Sequence, residues 1–146
     1  RIGDYISIYP SFSSEENAEI YIKKTFKPLG ITKQDHWEHI LRYSIKKMLD
    51  GTYNLNYDPG IAYNFQEEIS KIENMDLWDI WNKIDVPVLI LRGKKSDILT
   101  EDTLHKMIKS KKNVDFIEFS NIGHAPSLME EDQITFIHDW LSELFV

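Results

Sequence analysis

Two ionisable residues in this sequence stand where apolar runs give way to loops. Asp97 closes the stretch Arg92-Gly93-Lys94-Lys95-Ser96-Asp97, and His124 lies in Ser120-Asn121-Ile122-Gly123-His124-Ala125-Pro126. An aspartate beside a histidine makes up two thirds of an acid–histidine–nucleophile relay. The carboxylate accepts a hydrogen bond from one imidazole nitrogen and fixes the tautomer. The other nitrogen then removes a proton from a nucleophile or from water.

The elements flanking these loops are built to carry them to one place. Val86-Pro87-Val88-Leu89-Ile90-Leu91 is a continuous apolar run rich in β-branched residues. Such a run reads as a strand buried on both faces, and so as part of a parallel sheet. Pro87 is tolerable near its start. Thr100 can cap a helix with Leu104, Met107 and Ile108 inward, Val114 to Phe119 give a second strand, and Ile134, Ile137, Leu141 and Leu144 stripe a last helix. A strand–helix–strand unit of this length predicts a right-handed parallel crossover. Ligands of open parallel sheets bind beyond the carboxyl ends of the strands, where both loops would emerge.

Before residue 85 the chain reads as mostly helical. Ser13 and Glu16 have the spacing of a capping box for a first helix. Pro28 and Gly30 stop that helix, and Thr32 can cap the next. Trp37, Ile40, Leu41, Ile45, Met48 and Leu49 recur at helical spacing and predict one continuous stripe. Asp50-Gly51 signals a turn, and Tyr53, Leu55 and Tyr57 alternate as a short extended segment. A weaker helix is expected from about Tyr63 to Ile72, and Asp76 should cap one carrying Leu77, Ile80, Trp81 and Ile84.

The stretch Val88-Leu89-Ile90-Leu91-Arg92-Gly93-Lys94-Lys95-Ser96-Asp97-Ile98-Leu99 resembles the seventh strand and acid loop of α/β-hydrolases, and Gly123-His124-Ala125-Pro126 resembles that fold's histidine loop. The order, acid then histidine with a helix between, matches the family. Upstream, Asp76-Leu77-Trp78-Asp79-Ile80-Trp81 is similar to the helix leading from the family's cap into the seventh strand. The resemblance implies an α/β fold, specifically the C-terminal portion of an α/β-hydrolase. Residues 1–84 would form a helical cap or lid region, and 85–146 the C-terminal part of the core. It implies a hydrolase of ester, amide or other acyl bonds, with Asp97 orienting His124 and His124 as general base. No cofactor is implied.

The family's nucleophile sits in Gly-x-Ser-x-Gly at a strained strand-to-helix turn, and no such pattern occurs here. Ser96 is in a Gly-x-x-Ser context and Ser127 follows the histidine within its own loop, so neither occupies such an elbow. The isolated chain is therefore expected to be inactive, with the nucleophile, a Ser by the family pattern, on sequence upstream of Arg1. Two rivals follow. An Asp nucleophile would make the intact protein an epoxide hydrolase or dehalogenase. A non-catalytic remnant or association module would need no nucleophile. In the family the seventh strand is flanked by the sixth and eighth. The sixth is missing here, so the run Val88 to Leu91 would keep an open edge, and the partner is expected to be the missing N-terminal half or a second copy, as a homodimer.

Read without that family, the same residues have plainer uses. Asp97 after Gly-Lys-Lys-Ser is ordinary turn chemistry, and His124 could be a satisfied structural histidine. His36 and His39 lie three apart on a predicted helix, a spacing that permits metal ligation but more often marks a solvated face. Glu130-Glu131-Asp132 suits a helix N-terminus.

Composition narrows the classes further. The 146 residues are 42% hydrophobic and 28% charged, fitting a soluble globular chain, and a net charge of −7 without a basic stripe argues against nucleic acid. There is no cysteine, which excludes disulfides and Cys-ligated metals. The longest apolar run is far too short to span a membrane, and no signal peptide opens the chain. A cytoplasmic location is the resulting expectation.

Overall fold

A computed structural model describes residues 9–61 and 76–144. The chain divides into two compact units, one of Arg1–Thr25 with Trp37–Leu77 and the other of Phe26–His36 with Trp78–Val146. The helix expected from Tyr63 to Ile72 lies outside the described residues.

The first unit carries β1 (Ser11–Phe12), most of α1 (Glu15–Phe26) and of α2 (Gln34–Ser44), then β2 (Ile45–Lys47) and β3 (Tyr53–Leu55). Its sheet is antiparallel with β3 between the other two, pairing Ile45 with Leu55 and Phe12 with Tyr53. Ala18, Ile22, Leu41 and Leu55 are its buried apolar residues. Helix α1 starts one residue later than the capping-box spacing predicts. The Ser14 hydroxyl, not Ser13, accepts from a first-turn amide, that of Asn17 at 3.2 Å.

The larger departure is at the end of α2. The apolar stripe does not run on as helix to Leu49; the helix stops at Ser44 and Ile45 enters a strand. Pairing with β3 outcompetes the helical period there. Ile45 is β-branched, Asp50-Gly51 turns the chain back between β2 and β3, and Gly51 takes the left-handed conformation (φ 86°) that the tight turn needs. Met48 N–H donates to Thr52 O at 2.8 Å across that turn, and Leu49 projects into solvent instead of joining a core.

The second unit opens with a 3-10 turn, Lys27–Leu29, closed by Gly30 at φ 74°. It continues with α3 (Trp78–Asn82), β4 (Val88–Gly93), α4 (Glu101–Ser110), β5 (Val114–Phe119) and α5 (Glu131–Leu144). Strands β4 and β5 are parallel, in register from Val88 opposite Val114 to Gly93 opposite Phe119. Ile90, Leu104 and Val114 form the core between sheet and α4, with Trp81, Val88, Leu99, Met107 and Ile108 packed against it. The Thr100 hydroxyl accepts from the Thr103 amide at 3.2 Å and so caps α4.

Helix α3 is shorter than the pattern Leu77 to Ile84 suggests, and Leu77 and Ile80 are exposed. Its end is held by Lys111, whose ammonium donates to the carbonyls of Asn82 (3.2 Å) and Ile84. A cation there satisfies carbonyls that the helix leaves without partners. Along α5, Ile134, Phe136, Leu141 and Leu144 stay more than two-fifths exposed, so its apolar stripe is open within this chain. Among the described residues, no helix is long and apolar enough to cross a membrane.

Candidate active site

The two loops identified from the sequence leave the carboxyl ends of β4 and β5, and main-chain bonds stitch them together. Gly93 N–H donates to His124 O at 3.0 Å, Lys94 N–H to Phe119 O at 2.9 Å, and Lys95 N–H to Ile122 O at 3.1 Å. The approach is so close that Gly93 admits no side chain. A Cβ there would lie 2.0 Å from Gly123 O and 2.7 Å from Ile122 O. Glycine at this position is thus a requirement of the loop-to-loop contact.

The histidine loop is braced from its other flank by a segment distant in sequence. Gly123 N–H donates to Pro28 O at 2.7 Å, and a Cβ on Gly123 would come within 2.6 Å of the Pro28 ring. Buried Ile122 packs against Gly30, whose own Cβ would lie 2.8 Å from it. Further along, Thr32 does not cap α2. Its N–H (3.2 Å) and hydroxyl (3.0 Å) both donate to Glu130, and His36 Nδ1 lies 3.3 Å from the same oxygen. Glu130 therefore does more than flank a helix N-terminus: it ties residues 26–36 to the histidine loop. Burial raises its pKa, but the bonds from Thr32 and His36 outweigh that effect and hold the carboxyl below its ordinary value.

Inside the acid loop a buried guanidinium sets the path. Arg92, 4% exposed, donates through Nε to Leu99 O at 2.7 Å, through Nη2 to Ser96 O at 3.5 Å, and through Nη1 to Glu118. Glu118 is its register partner across the sheet. One side chain thereby ties both ends of the loop to the neighbouring strand. The sequence pattern assigns Arg92 no role beyond opening the acid-loop stretch. The available signal was a charged residue closing a strand's apolar run, with Glu118 at the equivalent place in the next strand.

Asp97 and His124 are both exposed, Asp97 on the acid loop and His124 on the stitched loop beside it. Among the described residues, the side chain within hydrogen-bond distance of imidazole Nδ1 is that of Ser96, the residue before the expected acid. Ser96 Oγ lies 2.8 Å from Nδ1, and the same oxygen accepts from Leu99 N–H at 3.0 Å. Ser96 is 8% exposed. An open cavity of about 430 Å³ lies behind the histidine loop, lined in part by Gly30, Glu118, Ile122 and Glu130. Neither Asp97 nor His124 is in its wall, so it is not where these two residues could act.

Comparison with known proteins follows the same lines. No protein-family model matches the chain. It is 30% identical, over 92% of its length, to a 3-hydroxybutyrate-oligomer hydrolase of Cupriavidus necator, of which it covers 48%. A putative hydrolase of Rickettsia typhi superposes with a TM-score of 0.84 at 35% identity, over 97% of this chain and 47% of that one. An α/β hydrolase of Novosphingobium aromaticivorans gives 0.79 at 26% identity, over 97% and 50%. The chain thus spans about half the length of the relatives it matches. Over that half, the chain has the fold of the α/β hydrolases.

Proposed function

We propose that these residues form the C-terminal portion of a hydrolase that cleaves ester bonds, with His124 as general base and Asp97 as the acid that orients it. The observation that carries this reading is the stitched pair of loops at the carboxyl ends of two parallel strands, one bearing each residue. The name of the Cupriavidus necator relative supports the substrate class, since hydroxy-acid oligomers are joined through esters. In the proposed reaction, imidazole Nε2 takes the proton of a nucleophile hydroxyl as its oxygen attacks the ester carbonyl. The same proton passes to the departing alkoxide, and water, activated by the freed imidazole, releases the acid. The nucleophile, which we assign as Ser, and the oxyanion donors would come from residues beyond these 146. Residues 1–84 would serve as the cap that selects the substrate.

The partner follows from the sheet. Among the described residues β4 pairs on one side alone, with β5. An unpaired apolar strand edge templates further pairing. The remaining half of the hydrolase fold would supply the next strand; without it, self-association would cover the edge.

Assaying p-nitrophenyl butyrate hydrolysis with the 146 residues alone, and with the full-length protein that contains them, tests the reading. The expectation is background turnover in the first case and hydrolysis in the second, reduced about 10⁴-fold by His124→Ala. A full-length protein unaffected by that substitution would overturn it.

A further inference from the structure

Ser96, a residue only 8% exposed, has a hydroxyl that the proposed reaction does not use, placed against the ring that the reaction depends on. A hydroxyl offers one proton and two lone pairs. Leu99 N–H, at 3.0 Å, occupies one lone pair of Oγ. Among the described residues, the other polar group in reach of Oγ is His124 Nδ1, at 2.8 Å. If Nδ1 carried a proton, it would fill the second lone pair and leave the Ser96 proton buried without an acceptor. Such an unmatched donor is costly. If Nδ1 is bare, every group is satisfied in a single line, from Leu99 N–H to Oγ and from Oγ–H to Nδ1. Each bond in such a line polarises the next.

We infer that Ser96 is a positioning residue that holds neutral His124 with its proton on Nε2 and Nδ1 as acceptor. The loop that presents Ser96 is fixed independently of the ring. Ser96 N–H donates to Gly93 O at 2.9 Å, and its carbonyl accepts from the buried Arg92. The consequence, which rests on the reading of His124 as the base, is that this is a resting tautomer. A ring protonated at Nε2 cannot take a proton there. For catalysis the proton must move to Nδ1, and Nδ1 must exchange the Ser96 hydroxyl for an acceptor, the role proposed for Asp97. Ser96 and the acid would thus compete for one nitrogen.

The ring nitrogens of His124 report this directly. In the ¹⁵N-labelled chain, two-bond ¹⁵N–¹H correlation spectra at a pH where the ring is neutral distinguish a bare nitrogen from a protonated one. The expected spectrum has Nδ1 bare and Nε2 protonated. Ser96→Ala should lower the ratio of the Nε2–H to the Nδ1–H form about fivefold, the net worth of one hydrogen bond, and Ser96→Thr should restore it. Unchanged amide shifts in β4 and β5 would show that the fold persists in the variants. A neutral wild-type ring protonated at Nδ1, or a ratio that Ser96→Ala leaves unmoved, would overturn the inference. No turnover enters the measurement, so it can fail while ester hydrolysis stands, and hydrolysis can fail while the tautomer is as stated.

Discussion

The turn between β2 and β3 and the paired loops after β4 and β5 both depend on glycine, but for different reasons. At the hairpin, Gly51 is needed for its backbone conformation: φ is 86°, and no atom lies within 4 Å of where a Cβ would sit. At the loops, Gly93 is needed for space, because the histidine loop's own main chain occupies the position a Cβ would take. The first is a local demand that any Asp-Gly turn makes. The second is a tertiary demand, made by a segment some thirty residues away in sequence. A region that holds a candidate site is therefore stiffer toward side-chain addition than an equally glycine-dependent surface turn.

Substituting each glycine sharpens that contrast. Gly93→Ala should destabilise the second unit by about 3 kcal/mol or more, since rigid backbone rather than a flexible side chain must move. Gly51→Ala should cost only about 1 kcal/mol, the strain of a left-handed alanine. Urea unfolding of both variants checks the order, and equal losses would remove the distinction.

An effect between those of the two glycine substitutions is expected at the bracing charge pair. Glu118→Gln leaves the Arg92 guanidinium buried without its carboxylate. Glu118 itself is about a quarter exposed, so the loss should fall to about 2 kcal/mol, below that for a fully buried pair. The matching measurement is the same unfolding midpoint, together with amide exchange at Leu99, which should quicken as the loop loosens.

The smallest effect concerns Glu130 and is set by pH. The folded carboxyl is held below its ordinary value of 4.5, so the bonds from Thr32 stabilise the folded chain fully above that value. They are lost as pH falls through the lower, folded value. Following the Thr32 amide resonance from pH 7 down should give a midpoint below 4.5, and Glu130→Gln should abolish the titration. A midpoint at or above 4.5 would contradict the direction stated here.

Much of the second unit was legible in the sequence. Val88 to Leu91 is a strand because a continuous apolar run rich in β-branched residues has few other uses, Val114 to Phe119 is one because β-branched and aromatic residues dominate it, and Thr100 caps α4 because cap chemistry is local. The first unit was less so. Ile45, Met48 and Leu49 fit a helical stripe as well as they fit anything, and only pairing with β3 excluded it.

The residue types, their order, and the strand ends that carry Asp97 and His124 follow from the sequence alone, because periodicity and turn chemistry act over a few residues. The tertiary structure decided what those local signals do not reach: that Pro28 and Glu130 brace the histidine loop, that buried Arg92 ties the acid loop to Glu118, and that Ser96 Oγ sits on the imidazole. Each of these is a bond between groups some 26 to 98 residues apart. No local pattern encodes which buried donor will meet which acceptor, since that choice is made only when the chain packs and every buried polar group must find a partner.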